Sequence, residues 1–365
     1  MKNLLFLTYY QADPTEGIWK KIESQVRAMR KIGFNVDFFY MEGKNIVYDD
    51  GINIKKIQNR FKHKYFYYLN VKKHIEEIKK QYDFLYVRKP HGGLFCLGLP
   101  FIINSFDESF IIMEIPTYPY INEIKTIKDK FLEAIFNISK LTYIKKIDKI
   151  AYFGKPVDKI WGVNAVGLSN GIDVDAIRIA KQISKPLESE FTIVAVANLS
   201  FWHGYDRILA GLRDYKDTNR VMLYVVGDLE PEYSRLKELA KEYSIEDKVI
   251  FTGRLSGQQL DEVFNKADVC VDALGRHRSG NEYNSSIKSK EYCARGLPFI
   301  KSHIDPAFDN NDFIYQATAD ETPIDIADVI QWRSNLSSDI SQIERTFAEQ
   351  NLTWQKQFIK LFFEV

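Results

Sequence analysis

Between residues 275 and 299 the chain reads GRHRSGNEYNSSIKSKEYCARGLPF. Arg276, His277 and Arg278 come first, then the short polar run Asn284, Ser285 and Ser286, then Ile287, Lys288, Lys290 and a single carboxylate at Glu291. Guanidinium and ammonium groups gather anions, and short side chains at a helix start leave backbone N–H groups open to one. Together they form a cradle for a phosphate or diphosphate without a Walker loop. Glu291 follows Lys288 by three residues and Ile287 by four, so a helix puts all three on one face. A carboxylate there works against phosphate binding, but it is suited to accept hydrogen bonds from hydroxyls such as those of a ribose. A solvated, charged helix face uses the same residue types; the joint placement favours a site. Gly296 and Pro298 stop the helix so that the next strand can return to its sheet.

A second candidate is VANLSFWHGYDRILAGL, residues 196 to 212, which sets Asn198, His203 and Gly204 between a strand and a helix. The free N–H groups and partial positive charge of a helix start suit a phosphate, with His203 adding a donor. A surface histidine beside a helix cap fits equally well. SNGID (169 to 173) supplies a tight turn at Asn170-Gly171. The acids of DVD (173 to 175) read as turn and cap, so no metal site is expected. The loop after the first strand holds only Gly17, which argues against a dinucleotide fingerprint. No P-loop, Gly-x-Ser-x-Gly elbow or His-Glu-x-x-His helix is present.

Placing these residues requires α/β layers. NLLFLTYY (3 to 10) is a near-continuous apolar run, as strands buried on both faces are. After the loop QADPTEG, apolar residues at Ile18, Trp19, Ile22, Val26, Met29 and Ile32 have helical spacing, and FNVDFFYM is the next strand. Strand and helix then alternate. The segment 123 to 151 has helical spacing, seven lysines and a basic polar face. EFTIVAVANLS (190 to 200) opens a second unit of the same plan, which continues through DVCVDAL. The expected fold is two Rossmann-like, doubly wound domains facing a central cleft, with ligands at the carboxyl ends of the strands. The expected boundaries are 1–183, 184–342 and a terminal helix, 343–365, packing back on the first domain.

A chain of 365 residues suits two such domains. Net charge is +1, but residues 1 to 180 carry 28 basic against 20 acidic groups, so +8, and the remainder 22 against 29, so −7. A basic first half attracts anionic partners or surfaces; no nucleic-acid motif accompanies it, and no nucleic-acid partner is expected. Cys96, Cys270 and Cys293 form neither a zinc pattern nor a disulfide framework, which suits a reducing, cytoplasmic compartment. No apolar run is long enough to span a bilayer, and the N-terminus reads as a strand rather than a secretory signal.

Taken in order, the opening strand with its Gly17 loop, SNGID, VANLSFWHGYDRIL, LYVVGD, VIFTG and KEYCARGLPF resemble the GT-B-fold glycosyltransferases of the retaining group often called family 4. The likeness runs over most of the chain and is better in the second half. It implies a C-terminal domain that binds a sugar nucleotide and an N-terminal domain that binds the acceptor. Glu291 takes the place of the family's second glutamate, which holds the nucleotide ribose. Ser285, Ser286 and Ile287 match the stretch whose backbone meets the diphosphate or donor sugar; Gly253 and Arg254 match the part near the base, and Gly227 belongs to the matching LYVVGD. The family's first glutamate falls at Tyr283, with Glu282 one residue away. Its common Arg and Lys fall at Asn198 and His203, and its Gly-Gly pair at Glu16-Gly17. The diphosphate charge is then left to Lys288, His203, Arg276 or Arg278.

The resemblance implies transfer of a sugar from a nucleotide donor to a glycan or lipid-linked glycan, without cofactor or dedicated metal, in cell-surface polysaccharide or glycoconjugate synthesis. Preorganised cations at the departing diphosphate and a held acceptor hydroxyl are what such chemistry needs. Lys288, Glu291 and His203 are the expected catalytic group. Glu16, Gly17, Trp19, Arg88, His91, Glu114 and Tyr118, at strand ends of the first half, are candidates for the acceptor side. The lysine-rich segment 125 to 149 is a candidate to lie on anionic lipid at the inner face of the plasma membrane; a solvated helix face is its plain alternative. Two other readings stand beside transfer: a non-catalytic partner subunit of the same fold, and a glycan phosphorylase with a lysine-bound pyridoxal group.

Overall fold

The computed structural model describes residues 1–14, 16–57, 64–119, 126–181, 190–308 and 311–364. They form two compact units, Met1–Ser169 with Trp354–Val365, and Asn170–Thr353.

In the first unit the apolar runs form β1 (Lys2–Gln11), β2 (Phe34–Glu42), β3 (Asn45–Asp49), β4 (Ile54–Ile57), β5 (Phe84–Arg88), β6 (Phe110–Tyr118), β7 (Lys149–Gly154), β8 (Lys159–Ile160) and β9 (Val163–Gly167). They join in the order β4-β3-β2-β1-β5-β6-β7-β9-β8. The strands from β2 to β9 through the centre are parallel; β3, β4 and β8 pair antiparallel at the two edges. The helices are α1 (Gly17–Lys31), α2 (Tyr67–Ile78), α3 (Leu99–Ile103) and α4 (Ile127–Leu141), with α11 (Trp354–Phe363) added from the chain's end. Alternate residues of each central strand serve opposite faces. Leu4 and Phe6 meet α1 and α11, and Leu5 and Leu7 meet α2 and α3.

The second unit is a sheet of six parallel strands: β10 (Phe191–Val196), β11 (Val221–Val226), β12 (Val249–Gly253), β13 (Val269–Val271), β14 (Phe299–Lys301) and β15 (Ile314–Gln316). Their order is β12-β11-β10-β13-β14-β15. One face is covered by α5 (Asp206–Asp214), α6 (Glu232–Glu242) and α9 (Ile326–Ser334). The other is covered by α7 (Gly257–Phe264), α8 (Ile287–Arg295) and α10 (Ile340–Asn351).

Three expectations change. The first unit ends at Ser169, not at 183. Residues from 170 on bond within the second unit: Ile172 N donates to Leu352 O at 2.9 Å, and Ala180 N to Arg295 O at 2.9 Å. The expected linker, 183 to 190, lies outside the described residues except for Glu190. The terminal segment is two helices. α10 packs on α8 and stays in the second unit, and the chain rejoins the first unit at Trp354 rather than at 343. Finally, among the described residues of the lysine-rich stretch 123 to 151 only α4 is an α-helix, and the last residues of the stretch are already β7.

Candidate active site

Every residue expected on the donor side lies in the second unit, on loops after the carboxyl ends of β10, β11, β12 and β13 or in the first turns of α8. Its centre was not among the expected residues. The chain leaves β13 at Asp272, which is fully buried. Lys288 brings Nζ to 3.1 Å from Asp272 Oδ1. Ser289 Oγ donates to Oδ2, and His303 Nε2 lies 3.8 Å from it. Burial works to raise the Asp272 pKa, but Lys288, His303 and the hydroxyls of Ser286 and Ser289 outweigh it and hold the carboxyl below its ordinary range.

Around this acid stand the other polar groups. Burial lowers the Lys288 pKa, with Asp272 opposing the shift. Burial likewise lowers that of Arg276, again opposed by Asp272, and Arg276 Nε is buried with no hydrogen-bond partner. The His203 imidazole is pushed down to about 3 by burial, with Lys288 and Arg276 adding to the effect and Asp272 opposing it. Its Nδ1 is buried and unpartnered. His203 is therefore a neutral hydrogen-bonding group at working pH and not a carrier of charge. Glu291 lies half-buried one turn beyond Lys288, and its charge acts on that lysine.

The loop leading into α8 is braced from below. Lys290 is fully buried and reaches Asp305 at 2.7 Å, Ser285 Oγ at 3.0 Å and Ser286 O at 3.2 Å. Asn170, of the SNGID turn, clasps the same loop: its N donates to Ser285 Oγ at 2.7 Å, and its Nδ2 to Ser285 O at 2.7 Å. On the other side Ile304 N donates to Glu282 O at 2.8 Å and Asn284 N to Ile304 O at 2.9 Å. Ser286 and Ile287 are thus held at the start of α8, where no side chain caps the helix.

Gly204 joins this loop to the one after β10. Its φ is +65°, and a Cβ there would stand 2.6 Å from Gly275 N, so the two backbones meet in a way only glycine allows. At the neighbouring strand ends Gly227 N donates to Gly253 O at 2.9 Å, and Arg254 Nη2 reaches Asn198 Oδ1 at 3.3 Å. Arg278 departs from expectation. Its guanidinium is bidentate to Asp206 at 3.0 and 3.0 Å, donates to Phe201 O at 2.9 Å and pairs with Glu321. Those bonds raise its pKa and commit it to the frame. The cations left to meet an anion are Lys288 and Arg276.

The first unit holds a pocket of about 260 Å³ at the carboxyl ends of β1, β5 and β6. Arg88 and His91 line it, with Tyr9, Tyr10, Lys89 and Glu133. Glu16 accepts from Tyr10 OH at 2.6 Å, and Gly17 opens α1 in open space. Tyr118 packs on Tyr152, with ring centroids 5.7 Å apart. Besides Arg88, which is buried at the pocket wall, two candidates are not surface groups. Trp19 points inward on the α1 stripe with Ile22 and Val26 and stacks on Phe38. Glu114 is wholly buried and takes Gln25 Nε2 at 3.1 Å, Tyr86 OH at 2.7 Å and Arg88. Glu114 orients Arg88 from beneath rather than facing a ligand.

Residues 177–306, which carry the whole donor-side constellation, match the family described as glycosyl transferases group 1. A segment of the chain is 29% identical over 119 residues to alpha-monoglucosyldiacylglycerol synthase of Streptococcus pneumoniae, covering 32% of this chain and 27% of that protein. The chain thus spans only about a quarter of that relative's length in the match. HepE of Anabaena, solved in complex with UDP, superposes with a TM-score of 0.65 at 11% identity over 100% of both chains. Sucrose-phosphate synthase from Thermosynechococcus elongatus gives 0.63 at 12% identity, over 99% of this chain and 97% of that one. At such identity the likeness shows the fold, which is GT-B. The family match is confined to residues 177–306, within the second unit, and the structural likeness gives the whole chain the GT-B fold.

Proposed function

We propose that the protein moves a sugar from a nucleoside-diphosphate donor to a hydroxyl of a glycan or lipid-linked glycan. The observation that carries this reading is the grouping of Arg276, Lys288 and neutral His203 around buried Asp272 at the start of α8. As the bond from the anomeric carbon to the diphosphate oxygen breaks, negative charge grows on the diphosphate. Lys288, Arg276 and the N–H of Ile287 at the start of α8 meet that charge, and His203 contributes a hydrogen bond. The acceptor oxygen bonds to the same carbon, and its proton passes to the departing phosphate oxygen. This scheme has the stereochemistry of the retaining enzymes and leaves charge neutralisation to side chains, so chelators leave the rate unchanged. Glu291 accepts from the ribose hydroxyls. The pocket around Arg88 and His91 takes the acceptor. Three free, buried cysteines suit a cytoplasmic site of action, at the inner face of the membrane where lipid-linked acceptors are reached.

Calorimetric titration with UDP and GDP tests the reading. The parent binds at least one of them, and Glu291→Ala weakens that binding about tenfold or more, the worth of a hydrogen bond to a charged group. Equal affinities in mutant and parent, or no binding of either by the parent, overturn it. The full commitment of Arg278 to Asp206 and Glu321 favours, as a second reading, a non-catalytic partner subunit. Transfer or donor hydrolysis by the purified chain alone decides between the two.

A further inference from the structure

Helix α4 has two faces of opposite character. Inward, Phe136 is fully buried, Ser139 Oγ donates to Cys96 O at 2.7 Å, and Glu133 pairs with Lys89 at 3.1 Å. Outward, Ile127, Phe131, Ala134, Ile138 and Leu141 recur at alternating spacings of four and three, one straight stripe along the helix. Ile127 is 86% exposed, Phe131 64%, Ile138 63% and Leu141 74%. Leu97 and Phe101, exposed on the turns against which α4 packs, extend the apolar surface. Lys128, Lys130 and Lys145 are exposed at the two ends of the stripe. The only acids of α4, Asp129 and Glu133, are engaged: Asp129 closes a capping box with Thr126, and Glu133 holds Lys89.

Large apolar side chains this exposed along one face mark a contact surface. We propose that α4 lies on an anionic lipid bilayer, its apolar stripe sunk at the boundary between headgroups and acyl chains and its lysines against the headgroups. Charge selects the occupant. A second copy of the chain docked stripe to stripe would bring Lys128 and Lys130 against Lys145 if antiparallel, or against themselves if parallel, with no outward acid on α4 to compensate. A sheet of anionic headgroups satisfies both ends at once. The inner side of the same helix, through Asp129, Leu132 and Glu133, lines the 260 Å³ pocket. Docking therefore holds that pocket about one helix diameter, roughly 10 Å, from the lipid surface. The surface stands without any reading of the pocket; its use in reaching a lipid-borne hydroxyl rests on the acceptor reading above.

Co-sedimentation of the full chain with vesicles of phosphatidylglycerol or phosphatidylcholine tests this. The parent sediments with phosphatidylglycerol at low salt and is released as salt rises. F131D/I138D lowers the bound fraction about tenfold or more, and K128E/K130E/K145E abolishes the preference for the anionic lipid. Both variants keep the parent's Tm and nucleoside-diphosphate affinity, so a failure here is distinct from a failure of the donor reading. A parent that stays in the supernatant, or an F131D/I138D variant that sediments like the parent, overturns the proposal. So does equal binding to phosphatidylcholine, or a soluble dimer that F131D/I138D splits, which would make the stripe a seam between copies.

Discussion

Lys288 answers to two charges, the buried Asp272 and the diphosphate that the proposed reaction brings, and the two demands are separable by mutation. Removing Lys288 alone leaves Asp272 buried without its nearest cation, a loss of up to about 3 kcal/mol. Lys288→Ala therefore lowers stability as well as turnover. Adding Asp272→Asn removes the stranded charge, so D272N/K288A regains most of the stability in urea titrations but stays about 10²-fold slow, as when one donor to a developing anion is deleted. Recovery of turnover together with stability would assign Lys288 a structural role only. Sequence reasoning named Lys288, Arg276, His203 and Glu291 because cations and a carboxylate at a helix start are visible in a linear string. It passed over Asp272, although an acid inside the apolar run VCVDAL must have a partner once buried. Arg278 was misplaced because its acids, Asp206 and Glu321, lie 72 and 43 residues away, a pairing no local pattern shows.

At the scale of elements, α8 holds its place because α10 presses on it. Gly296, which ends α8 with φ +71°, has no room for a side chain: a Cβ would stand 2.0 Å from Ser341 Oγ. Arg345 of α10 donates to Ala294 O at 3.0 Å and to Ile177 O at 2.9 Å, tying the end of α8 to the start of the unit. Between the two helices Glu344 is wholly buried, with both carboxyl oxygens unpartnered. Burial raises its pKa well above 4.5, against the pull of Arg333 from α9; Cys293 of α8 and Cys270 of β13 are its other titratable neighbours. The folded state keeps this proton while the unfolded chain releases it above about pH 4.5, so the contribution of Glu344 is fully present below that pH and is lost as pH rises. Glu344→Gln removes the dependence. Its stability relative to the parent should climb with pH between 5 and 8, by up to about 1.4 kcal/mol per unit. A difference that stays flat across that range in urea titrations would mean that Glu344 is ionised in the fold. Neither the junction nor the split between α10 and α11 was legible in the sequence. The apolar spacing of 341 to 362 continues through the break, and only packing on two different sheets separates the halves. The central strands were legible because parallel strands buried on both faces must be apolar throughout; edge strands such as β4, mostly exposed, carry no such signature.

At the scale of the whole molecule, charge and covalent order are distributed unequally. The basic excess of residues 1 to 180 resides largely in the first unit, the one that carries the α4 surface. That unit is also incomplete in sequence order, because its sheet is closed by the chain's last helix. Trp354, Phe358 and Leu361 of α11 are buried at 2%, 0% and 0% exposure. Phe362 packs on Phe34 and Phe84 with ring centroids 4.7 and 5.2 Å apart, and Lys149 Nζ donates to Leu361 O at 3.2 Å. Burying three such side chains is worth about 1.5–3 kcal/mol each, so about 5–9 kcal/mol together. A domain's whole net stability is about 5–15 kcal/mol. Truncation after Thr353 should therefore cost the first unit most or all of its margin and bare Phe34, Phe84 and Phe153. The second unit keeps α10 and loses none of its core. Limited proteolysis read by mass spectrometry distinguishes the units: fragments from 1 to 169 should disappear rapidly in the truncated chain, while a fragment spanning 170 to 353 persists. Equal resistance of both regions would mean that α1 and the strands close the first unit without α11, and that the terminal helix is an addition to a core already complete.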